Sequence, residues 1–167
     1  MHQPDTQILS RISKEENYKV LIPGILSLVR EEKNLTANLG NICSALKYSF
    51  EYFSWVGFYF TDSENPQELV LGPFQGRVAC TRLKIGKGVC GTAITEKRCI
   101  IVPDVSKFPG HIYCDPESKS EIVLPVIIDG IVKGVLDIDS NVLSAFDETD
   151  KNYLEELLNK VLYIFRI

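Results

Sequence analysis

No stretch of this 167-residue chain stays apolar for the length of a membrane span, which argues against a transmembrane helix. Positive charge is not in excess. Against 18 Lys and Arg stand 22 Asp and Glu, and the net charge of -4 gives nucleic acid or an anionic membrane little to hold. The opening segment MHQPDTQILSR lacks the basic n-region and apolar h-region of a secretory signal, so a cytoplasmic protein is expected. Internal repeats, low-complexity tracts and Pro/Ser-rich linkers are also missing. None of the five cysteines forms a C-x-x-C pair and no H-x-x-x-H pair occurs, so no metal site is expected. An odd number of cysteines in a reducing compartment also argues against a framework of structural disulfides.

The chain does have the makings of one globular domain over residues 1–167, with 45% hydrophobic and 24% charged residues. Residues from about 14 to 51 read as helical. Val20, Leu21, Ile25, Leu28 and Val29 recur at helical spacing, interrupted at Pro23–Gly24, which predicts two helices or one that is kinked. Leu35, Leu39, Ile42, Cys43, Leu46 and Phe50 form a second apolar stripe, with Cys43 in the core. The period then changes. FSWVGFYF (53–60), ELVLGPF (68–74), ACTRLKI (79–85), CIIVPDV (99–105), EIVLPVII (121–128) and IVKGVLDID (131–139) read as strands. Cys99 belongs to the core of its strand. GVCGTAITEK (88–97) reads as a short helix, and Asp129–Gly130 as a hairpin turn. A helix from about Asp147 to 166 carries Leu154, Leu157, Leu158, Val161, Leu162 and Phe165 on one apolar face, which offers a homodimer surface. Helices bracketing about six sequential strands predict an α+β domain: an antiparallel sheet, from about 53 to 140, with N- and C-terminal helices packed on it.

Chemistry concentrates between Gly72 and Glu121. Cys80, Cys90 and Cys114 sit in or beside glycine-rich turns, where backbone N–H groups and water can reach a thiolate. Cys114 precedes Asp115-Pro116, a pair that predicts the N-cap and first position of a short helix whose dipole would favour the thiolate. Cys90 falls in the first turn of its helix and is expected to gain the same help. Neither dipole nor charge is placed to activate Cys80. One of the three would attack and one or two of the others resolve a disulfide, and residue types alone do not say which. His111 lies three residues before Cys114 and could join the three cysteines only in a metal set that lacks the usual close spacing.

A second grouping is acidic. Asp137 and Asp139 stand two apart in an apolar strand and share a face; Glu121 opens the partner strand. A strict two-residue turn at Asp129–Gly130 pairs Glu121 with Ile138 and puts it on the opposite face, whereas a three-residue loop brings all three acids together. Gathered acids would hold protons, supply one to a departing oxygen, and suit a ligand bearing an ammonium group. Trp55 and Tyr59, on one face of their strand, would wall an apolar slot beside them.

The run WVGFYF, LVLGPFQGRVAC, GKGVCGTA, VPDVSKFPGHIYCDPESKSEIV and GVLDIDS resembles the free methionine-(R)-sulfoxide reductases, single-domain enzymes of the GAF fold. The resemblance covers about Trp55 to Asp150. It implies reduction of free methionine-(R)-sulfoxide to methionine. It further implies Cys114 as nucleophile, Cys80 as resolving cysteine and Cys90 as an auxiliary redox cysteine, with Glu121, Asp137 and Asp139 binding substrate beside Trp55. The resulting disulfide would be reduced by thioredoxin or a similar external dithiol, with no bound cofactor. The same resemblance implies converging acids. The sequence departs from the family pattern at Tyr113, where a small residue is expected. The rival expectation is a non-enzymatic GAF sensor of small molecules or redox state. Such a protein would need an output domain, which is not apparent here, and would have little use for three loop cysteines.

Overall fold

The computed structural model describes residues 13–112 and 114–166. Helices α1 (Lys14–Val29) and α2 (Leu35–Ser49) precede strands β1 (Trp55–Thr61), β2 (Glu68–Gln75) and β3 (Arg82–Lys84). There follow α3 (Gly88–Glu96), β4 (Ile100–Val102), β5 (Ser120–Ile128), β6 (Ile131–Ser140) and the closing helix α4 (Glu148–Val161). Side chains start the helices. Ser13 and Glu16 form a reciprocal capping box on α1, Asn34 accepts from the Ala37 N–H on α2, and Asp147 and Asp150 form a second box on α4.

Of the two alternatives at Pro23–Gly24, the break into two helices does not occur, because α1 is one helix that runs through Pro23. Proline removes one backbone donor, but Tyr18, Ile22, Ile25 and Val29 bury on both sides of it and packing outweighs the loss. These four form the true stripe; Val20 and Leu28 are 75% and 51% exposed.

The six strands make one antiparallel sheet in the order β3-β2-β1-β6-β5-β4. Both edge strands are shorter than their apolar patterns suggest. In particular Cys80 lies in the loop ahead of β3. One face carries Val56, Phe58, Ile122, Leu124, Leu136 and Ile138, packed against α1, α2 and α4. Cys43 and Cys99 belong to this core as expected, and burial pushes both thiols up to about 12. Leu154, Leu157, Leu158 and Val161 of α4 are buried here too, so the apolar face expected to meet a second copy is taken up within the chain. The other face carries Trp55, Tyr59, Val123 and Val135 under α3 and loops. Among the described residues no helix is long and apolar enough to cross a membrane.

The hairpin β5–β6 decides where the acids fall. Asp129 and Gly130 make a two-residue turn, with φ of 50° and 79°, and Ile128 faces Ile131. That register alone would send Glu121 to the wrong face. The ladder slips once, however. Ile127 faces Val132 while Val126 faces Gly134, which leaves Lys133 as the extra residue of a bulge. Beyond it Glu121 faces Asp139, and Val123 faces Asp137. The strict turn and the converging acids therefore coexist, and the one-residue shift comes from the strand rather than from a longer loop.

Candidate active site

Trp55 and Tyr59 of β1, Glu121 of β5, and Asp137 and Asp139 of β6 line one cavity of about 50 Å³ with Cys90, Cys114, His111 and Ser118. Across the ladder from Asp137 stands Gly57. A Cβ there would come within 2.2 Å of the Trp55 ring, so the glycine is what lets the indole lie back along the strand. The indole then stacks on Phe74 and Tyr59, with ring centroids 5.4 and 6.0 Å away.

Burial and crowding raise all three acids above the usual carboxylate range. Burial, reinforced by the neighbouring Asp139 charge, pushes Glu121 well above the usual carboxylate range. Burial does the same to Asp137, and the charges of Glu121 and Asp139 add to it. Asp139 rises to about 6, chiefly through burial, and is held there by Ser118, whose hydroxyl donates to its Oδ1 at 2.6 Å. Asp137 Oδ1 is buried with no hydrogen-bond partner. Such an oxygen is costly in a finished core and useful in a binding site. His111 Nε2 lies 3.4 Å from Glu121 Oε2. Burial lowers the histidine and raises the glutamic acid, which disfavours an ion pair between them.

Cys80 and Cys114 are joined in a disulfide, with Cα atoms 5.5 Å apart, at the wall of this cavity. The expected helix after Cys114 is absent. Asp115 Oδ1 accepts from the Glu117 N–H, and the Asp115 carbonyl accepts from Ser118, which makes a single β-turn. Lys119 already donates to Ser140 at the start of the β5–β6 ladder, so too few residues remain for a helix, and no helix dipole acts on Cys114. Cys90 does lie in the first turn of α3, but its thiol is buried. Burial and then the Asp137 and Glu121 charges push it upward, against the expected dipole help. The donor atoms of Cys90, Glu121 and Asp137 lie within 4.8 Å of one another, the grouping among the described residues that could hold a metal ion. The set of three cysteines and His111 does not form, since two of those sulfurs bond each other.

The sequence-expected residues thus come together, and three more join them. Ser118 holds Asp139. His111 meets Glu121. Arg77 reaches from the Cys80 loop to Glu117, at 3.0 Å, and Asp115, at 3.8 Å, on the Cys114 turn. Ser118 and Arg77 sit in irregular loops without periodicity, so only their position beside the cysteines marks them in the sequence. Tyr113 lies outside the described residues.

A family model described as the GAF domain matches residues 32–161. The chain is 55% identical over 150 residues to GAF domain-containing protein A of Dictyostelium discoideum, covering 90% of this chain and 93% of that one. With the free methionine-R-sulfoxide reductase of Saccharomyces cerevisiae it shares 44% identity over 161 residues, 93% and 89% of the two chains. It superposes with a TM-score of 0.89, at 46% identity, on the free methionine-R-sulfoxide reductase of Neisseria meningitidis, solved in complex with its substrate. That match covers 93% of this chain and 92% of the other. The chain belongs to the GAF-domain free methionine-R-sulfoxide reductases, a family of oxidoreductases.

Proposed function

We propose that this protein reduces free L-methionine-(R)-sulfoxide to L-methionine. The observation that carries the reading is a Cys80–Cys114 disulfide in the wall of a cavity floored by three acids that burial raises above the usual carboxylate range. Relatives sharing 41 to 46% identity bear that activity as their name. Cys114 attacks the sulfoxide sulfur while one of the acids protonates the sulfoxide oxygen. The substrate S–O bond breaks as its oxygen passes to the Cys114 sulfur, so methionine leaves reduced and Cys114 is oxidised to a sulfenic acid. Cys80 then displaces that oxygen as water and forms the disulfide, which an external dithiol of the thioredoxin class reduces. Asp137 Oδ1, the buried acceptor without a partner, receives the substrate ammonium, with Glu121 and Asp139 beside it. Trp55 and Tyr59 enclose the methyl and thioether end. Cys90 serves as the auxiliary cysteine, and its exchange is slow because a buried, protonated thiol is a poor nucleophile.

The test is epimer-resolved chromatography of racemic free methionine sulfoxide incubated with protein and dithiothreitol. The R form is expected to disappear selectively, and Cys114→Ser to abolish its loss. Survival of both epimers with folded, reduced protein would exclude the reading.

A further inference from the structure

The aromatic wall of the pocket also grips a loop. Trp55 Nε1 donates to the Arg77 carbonyl at 3.0 Å, and the Tyr59 hydroxyl donates to the Cys80 carbonyl at 2.9 Å. Both acceptors belong to the segment between β2 and β3, which from Gly76 to Thr81 has neither helix nor strand. It protrudes far enough to leave Val78 88% exposed. Tyr59, by contrast, is 1% exposed, stacked on Trp55, and fixed in a strand paired on both sides. A rigid donor thus meets an otherwise irregular segment at the residue that bears a reactive sulfur.

We propose that Tyr59 is a positioning residue for disulfide formation: by holding the Cys80 carbonyl, its hydroxyl keeps the Cys80 sulfur within reach of Cys114. The inference rests on the roles assigned above to these two cysteines. In the step concerned, the Cys80 sulfur attacks the sulfenic sulfur of Cys114. The S–S bond forms and the S–O bond breaks. The hydroxyl leaves as water with the Cys80 thiol proton, Cys80 being oxidised and Cys114 reduced. Attack requires the two sulfurs to be held together for in-line approach, and a tethered loop supplies that as effective concentration.

Tyr59→Phe keeps the ring and removes the donor. In a single turnover without reductant, methionine release by reduced Tyr59→Phe is timed first and the disulfide step is read as the interval after it, so that a change in substrate contact does not enter. The variant should then accumulate Cys114 sulfenic acid, trapped by dimedone and read by mass spectrometry. Disulfide formation should slow about fivefold or more, as losing one hydrogen bond predicts, with Cys80→Ser as the fully stalled reference. In glutathione redox buffers, with no methionine sulfoxide present, the disulfide of Tyr59→Phe should be disfavoured by a similar factor. Wild-type disulfide rate and wild-type glutathione equilibrium together would overturn the inference. So would a defect confined to methionine release, which would make Tyr59 a substrate contact only. Failure of the wild-type protein to release methionine would instead sink the reductase reading, and the glutathione equilibrium would still decide the role of Tyr59.

Discussion

Carboxylates are buried on both sides of the sheet, and the two sides treat them differently. At the seam of α1 and α4, Asp150 is fully buried and fully partnered. It accepts from the Tyr18 and Tyr52 hydroxyls at 2.9 and 2.8 Å, from the Asp147 N–H, and from the Lys14 ammonium. In the pocket, Glu121, Asp137 and Asp139 crowd together with no lysine or arginine paired to them among the described residues, and one Asp137 oxygen has no partner. A buried acid that is satisfied ties elements together. One left unsatisfied is a place for something else to bind.

Removing each kind of acid should separate these roles. Asp150→Ala leaves the Tyr18 and Tyr52 hydroxyls and the Asp147 N–H without their acceptor, while Lys14 keeps Asp147 and the Ala145 carbonyl, and should destabilise the protein by about 2–4 kcal/mol in urea unfolding. Asp137→Asn should do the reverse. Stability should stay within about 1 kcal/mol, since a like-charge conflict is relieved, while kcat/KM falls about 100-fold as a group that binds the reacting substrate is lost. If the two variants had the same stability and activity profile, the contrast between the two sides would fail.

The pH dependence of stability sharpens the same contrast. Burial raises Asp139 to about 6, against a usual aspartate value of about 3.9. The folded state therefore binds more protons than the unfolded state in that window, and stability falls as pH rises from near 4 to near 6, by on the order of 2 kcal/mol. Glu121 and Asp137, shifted the same way, carry the fall to higher pH. Unfolding curves collected across this range should show the slope diminished in Asp139→Asn. A rising contribution from Asp139 would contradict the raised acids of the pocket. The smallest effect is expected at Arg77, whose side chain is 62% exposed where it pairs with Glu117. Arg77→Ala should change stability by less than about 1 kcal/mol and lose even that at high salt.

Much of this was legible in the sequence, for identifiable reasons. Alternation placed Asp137 and Asp139 on one face, and the acidic start and apolar stripe of α4 marked it as a helix. Register was harder, because bulges depend on how a whole strand pairs, and nothing local to Lys133 announces an extra residue. The α1 stripe misled because Val20 and Leu28 fit helical spacing as well as Tyr18 and Ile22 do; only packing selects between them. Asp-Pro after Cys114 signals a helix start and a β-turn equally well, and the nearness of β5 decided for the turn. The reversal at Cys90 came from tertiary contact, since its helix position was right and the acids beneath it belong to strands far along the chain.

The most direct measurement is calorimetric titration of each epimer of free methionine sulfoxide into Cys114→Ser, which binds without turning over, and into Cys114→Ser carrying Asp137→Asn. The R epimer should bind the first protein and the S epimer should not. The second protein, equally folded, should bind the R epimer at least about tenfold more weakly for loss of a charged hydrogen bond. Binding of the R epimer that is indifferent to Asp137, or equal binding of both epimers, would contradict the assignment of the unsatisfied Asp137 oxygen to the substrate.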